Sequence, residues 1–88
     1  MNAAQRGDFE AALREWTPLA EQGDASAQVS LGRMYEKGRG VSKNYETAVK
    51  WFKLAAEQGN ADAQTSLGSM YANGQGVLQN YKTAVKWW

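Results

Sequence analysis

The 88-residue sequence predicts an all-α solenoid of helix-turn-helix repeats, built as one domain with a 36-residue period. Three observations predict it. Shifting the chain by 36 residues aligns 20–52 with 56–88, and 22 of the 33 pairs are identical. Within each unit the apolar residues recur at helical spacing. Cap residues and glycines then punctuate both units at the same places. The same offset reaches back more weakly, setting Phe9, Ala12 and Ala20 under Tyr45, Ala48 and Ala56. The chain therefore divides into a half-repeat (1–23), a full repeat (24–59) and a repeat shortened within its second helix (60–88). That amounts to about five helices, the last one truncated.

The first helix is expected over about 8–22. It contains the only proline, Pro18, which predicts a kink near Arg14, costing about 3 kcal/mol if uncompensated. Gly23 ends it and Asp24 caps the next helix, over 25–37, with Ala27, Leu31, Met34 and Tyr35 on one side. Gly38 and Gly40 end that helix and open a loop. Asn44 caps a helix from Tyr45 to about Gln58, whose apolar residues Tyr45, Ala48, Val49, Phe52 and Ala56 fall at i, i+3, i+4, i+7 and i+11. A second seam, Trp51 and Ala55, lies beside the first and suits contact with a neighbouring unit. The remaining face, with Glu46, Lys50, Lys53 and Glu57, reads as a solvated outer surface. Glu46–Lys50 and Glu10–Arg14 are favourable i, i+4 pairs, whereas Lys82–Lys86 sets like charges together. Asn60 and Asn80 repeat the caps for a helix over 61–73 and a short final one.

Composition narrows the function. Lys+Arg is 10 against 9 for Asp+Glu, a formal net charge of +1, which argues against nucleic-acid binding. With neither cysteine nor histidine, the usual thiolate and imidazole ligands, bases and nucleophiles are missing. Ser26, Ser30, Ser42, Ser66 and Ser69 therefore lack an imidazole partner for acyl transfer, and Ser30 and Ser66 have only distant lysines. Asp8, Glu10 and Glu15 could pair as carboxylates, but nothing places them in a cleft. Gly38-Arg39-Gly40 follows a helix and lacks the third glycine and the lysine of a phosphate loop, so these glycines are expected to end a helix. Gln28 and Gln64 recur near the core, where each amide is expected to bond the backbone of a neighbouring loop. No metal and no cofactor are expected, and no signal-peptide pattern opens the sequence.

The pattern A-x-A-Q-x-x-L-G-x-M-Y-x-x-G-x-G-V-x-x-N-Y-x-x-A-V-x-W runs from Ala25 to Trp51 and again from Ala61 to Trp87. It resembles the Sel1-like repeat. Leu31, Gly32 and Tyr35 also match part of the tetratricopeptide pattern, but Gln28 and Gln64 stand where that repeat has tryptophan. The resemblance implies a right-handed α/α superhelix and a bacterial adaptor or scaffold that binds another protein. A cysteine-rich branch of the family, with a disulfide stapling each helix pair, is associated with β-lactam binding or hydrolysis; this cysteine-free chain lacks that stapling, so the resemblance does not carry that activity over. The compartment is open from the residues. Exported family members carry a signal peptide directly before a half-repeat like this one, which leans towards a periplasmic or secreted site, with Met1 in place of a removed segment.

Internal comparison then picks out a surface. The units differ on the first helix at Ser26/Asp62, Val29/Thr65, Arg33/Ser69, Glu36/Ala72 and Lys37/Asn73. The spacing is i, i+3, i+7, i+10, i+11, one stripe along the helix. In stacked helix pairs these helices line the concave side, so the stripe is a candidate groove for a partner peptide or helix. Drift at solvated positions gives the same pattern. Trp87 and Trp88 occupy the places of Trp51 and Phe52 with no further repeat to cover them, an apolar edge suited to self-association. Either the native chain continues past Trp88, or copies stack or swap helices end to end. Protein binding without catalysis thus leads, with a self-assembling structural unit second and a binder of small molecules or cell-wall fragments third.

Overall fold

The computed structural model describes residues 8–88; the part of the half-repeat before Asp8, including the expected start at Met1, lies outside the described residues. Five helices follow one another: α1 (Phe9–Glu21), α2 (Ala25–Lys37), α3 (Tyr45–Glu57), α4 (Ala61–Asn73) and α5 (Tyr81–Trp87). Each packs against the next, giving a right-handed α/α solenoid in which α2–α3 and α4–α5 are successive units and α1 is the second helix of the unit before.

The caps explain why the helix limits repeat. Side-chain oxygens of Asp8, Asp24, Asn44, Asn60 and Asn80 each accept the backbone N–H three residues on, at 2.9–3.0 Å. Gly38 and Gly74 stop α2 and α4 in the left-handed conformation, with φ 67° and 66°. Helix α1 runs without interruption through Pro18, which lies exposed, and the preceding Thr17 hydroxyl donates to the Leu13 carbonyl at 2.6 Å.

The core forms as two clusters joined along the solenoid. In the first, Ala20, Ala27, Leu31 and Met34 join α1 to α2, and Trp51 of α3 packs against them at the unit seam. In the second, Val49, Phe52 and Ala56 of α3 meet Ala63, Leu67 and Met70 of α4. Phe52 is the largest fully buried side chain. Burial of a phenylalanine contributes about 1.5–3 kcal/mol. It fits because position 32 is glycine: a Cβ there would sit 2.7 Å from the ring.

Between units runs a chain of amides. Gln28 Nε2 donates to the Ala20 carbonyl and Gln64 Nε2 to the Ala56 carbonyl, both at 3.1 Å. Gln58 Nε2 donates to Gln28 Oε1 at 2.9 Å. Gln28 is only 3% exposed, so these bonds satisfy an amide that would be costly unpaired. The expected acceptor was a loop. The actual one is a last-turn helix carbonyl, because helix ends present carbonyls without intrahelical partners.

Candidate functional site

Of the diverging stripe, Ser26, Arg33 and Lys37 on α2 are exposed and Glu36 is half-buried. On α4, Asp62, Thr65 and Asn73 are exposed, and Ser69 and Ala72 are half-buried. An ion pair links the two helices across the unit boundary, Arg33 Nη2 to Asp62 Oδ2 at 3.9 Å. With the side chains 52% and 74% exposed, its stabilisation is small, but its geometry shows that the two stretches of stripe adjoin. Val29 departs from the expected groove. It is 5% exposed and packs with Val49, Phe52 and Leu67, so it supports the helix packing and is closed to a partner. Its counterpart Thr65 is exposed.

At the α1 end of the stripe lies a groove of about 200 Å³. Phe9 and Trp16 of α1 form one wall. Ser30, Arg33, Met34 and Lys37 of α2 form the other, and Arg39 of the following loop also lines it. Gly40 positions that last residue. Its φ is 73°, and a Cβ there would lie 2.8 Å from Phe9 Cβ, so only glycine lets the loop settle on the start of α1. Arg39 then stacks over the Phe9 ring, 5.4 Å from its centroid. A second depression, of about 360 Å³, is lined by Lys53, Tyr71, Thr83, Lys86 and Trp87.

Other candidates have structural duties. Asp8 caps α1, and Glu10 and Glu15 are exposed. The Ser30 hydroxyl donates to the Ser26 carbonyl at 3.0 Å. Gly38 ends α2 as expected. The outer face of α3, with Glu46, Lys50, Lys53 and Glu57, is exposed. Among the described residues, no group of three or more Asp or Glu is placed to hold a metal ion. No helix of the described residues is long and apolar enough to cross a membrane.

Trp87 ends α5 half-buried, and Trp88 just after it is 65% exposed, its indole lying on Gly68 with Nε1 donating to the Thr65 carbonyl at 3.3 Å. Tyr81 and Val85 are exposed beside it.

The stripe read from sequence omitted Phe9, Trp16, Ser30, Met34 and Arg39, which complete the groove. Two signals were available. Trp16 falls 36 residues before Phe52, and the groove's Arg33, Lys37 and Arg39 all become neutral in the second unit.

The Sel1 repeat model matches residues 25–60 and 61–88. No curated protein matches the chain. Among solved structures, a Sel1 repeat protein from Oxalobacter formigenes is 40% identical with a TM-score of 0.92, over 97% of this chain and 35% of its own. A protective antigen of uropathogenic Escherichia coli displaying an SLR fold is 40% identical with a TM-score of 0.89, over 90% of this chain and 17% of its own. Helicobacter pylori cysteine rich protein B is 25% identical with a TM-score of 0.78, over 99% of this chain and 61% of its own. The chain spans less than two thirds of each relative's length.

Proposed function

The chain belongs to the Sel1 repeat family, whose members generally serve as protein-interaction scaffolds, and on that premise we propose that it holds a partner peptide or helix on the face formed by α2 and α4. The observation that carries this is the Arg33–Asp62 pair, which joins the diverging positions of two units into one exposed strip. The mechanism is rigid presentation of a preformed surface, with no chemical step. Capped helices and an interlocked core hold the strip in one geometry, so little ordering entropy opposes binding. For location we propose the periplasm or exterior of a bacterium, checked by fractionation of the source cell with an antibody to the chain.

Site-directed photo-crosslinking in the source cell tests the binding face. A crosslinker at position 33 or 73 is expected to capture one and the same protein, and at position 50 or 57 on the outer face of α3 to capture none. Capture from the α3 positions alone would refute the reading.

A second reading is self-association through α5. Tyr81, Val85 and Trp88 are each 65% exposed. The counterparts of Val85 and Trp88, Val49 and Phe52, are buried at 8% and 0%, and that of Tyr81, Tyr45, is half-buried. The edge thus resembles the surface that one unit offers the next. Light scattering over a range of concentrations decides it: rising molar mass that Val85→Lys abolishes supports self-association, and a constant monomer mass removes it.

A further inference from the structure

The α1–α2 groove differs from the rest of the strip in charge. Arg33, Lys37 and Arg39 line it, and 36 residues later the same positions carry Ser69, Asn73 and Gln75. In a chain of formal net charge +1, three cationic residues line one groove, and among the described residues no acidic side chain lines it. Asp62 engages Arg33 only at 3.9 Å and in solvent, leaving most of the guanidinium's donors available. Each wall also carries an apolar residue, Trp16 on α1 and Met34 on α2.

Trp16 is half-buried and packs against Ala27, Leu31 and Met34.

We propose that this groove takes an acidic α-helical segment of a partner protein. One apolar side chain enters between Trp16 and Met34, and carboxylates a turn to either side meet Arg33, Lys37 and Arg39. This deepens the reading above, and rests on it, by naming the chemistry of the partner. The apolar anchor supplies affinity, and the cations set orientation and reject basic helices.

The probe is a fluorescent, alanine-based helical peptide of about 16 residues with a central tryptophan and glutamates three and four positions to either side, read by anisotropy at low salt. Its controls carry lysine at every glutamate position, or alanine for the tryptophan. The key protein variant is Arg33→Ser, Lys37→Asn, Arg39→Gln, which borrows the residues the second unit already accommodates; circular dichroism confirms that it folds. The acidic peptide is expected to bind, to weaken about tenfold against this variant, and to exceed both controls. Equal binding of the lysine peptide, or full binding by the variant, overturns the proposal. So does a peptide that acts only by splitting a dimer, seen as a halved molar mass. A second variant, Asp62→Ala with Thr65→Ala and Asn73→Ala, separates the groove from the wider strip. Binding that survives it supports the groove and removes the strip's α4 half; binding lost in it alone overturns the groove.

Discussion

Gly32 and Gly68 occupy the same place in the repeat, yet alanine is expected to act on them with opposite sign. At Gly32 the new Cβ would lie 2.7, 2.8 and 2.9 Å from three ring carbons of Phe52. That ring is fully buried and cannot turn aside without disturbing Val49, Leu67 and their neighbours. Overpacking of this kind costs about 1–3 kcal/mol. The gain from removing a mid-helix glycine is about 0.5–1 kcal/mol. The balance is a loss of about 1 kcal/mol, or about 5 °C in Tm for a domain of this size. At Gly68 the new methyl group meets the indole of Trp88, which is 65% exposed and free to swing outward. Only its long bond to the Thr65 carbonyl is lost, so Gly68→Ala should be neutral or stabilising by up to about 0.5 kcal/mol. Thermal melts followed by circular dichroism at 222 nm read both. A Gly32→Ala protein as stable as the parent would refute the packing argument, as would equal losses at the two sites.

Further substitutions probe the other links. Gln28→Ala should cost about 1–2 kcal/mol, because it opens a buried site, and Gln58→Ala about 1 kcal/mol, because it leaves the buried Gln28 oxygen without its donor; urea unfolding measures both. Asn44→Ala removes the cap bonded to the Thr47 N–H and should cost about 1 kcal/mol, with faster amide exchange confined to the first turn of α3. Asp62→Ala should change stability by less than about 0.5 kcal/mol at any salt concentration, since its ion pair is long and solvated.

Much of the fold was legible because its signals are local. Asp24 and Gly38 bracket α2 at its observed limits, and Asn60 and Gly74 do the same for α4. Tyr45, Ala48, Val49 and Phe52 announce the inner face of α3 by spacing alone. The site was less legible, because a face depends on which neighbour covers it. Val29 looked like part of a variable surface, yet the packing of α3 and α4 closes over it. Trp16 carried no groove signal within α1; its 36-residue offset from Phe52 marked it as a packing position, and the groove takes shape only with α2 and the Arg39 loop opposite. The amide of Gln28 was visible as a polar residue needing partners, but its bond to Gln58 links positions 30 residues apart.

The central claim is that partners meet the chain on the α1–α2–α4 face and not on the α5 edge. The most direct measurement is amide chemical-shift mapping of the ¹⁵N-labelled protein during titration with the acidic helical peptide. The expected result is saturable shifts at Phe9, Trp16, Ser30, Lys37 and Arg39, with Glu46, Lys50 and Glu57 unmoved. Shifts centred on Tyr81, Val85 and Trp88 would contradict it.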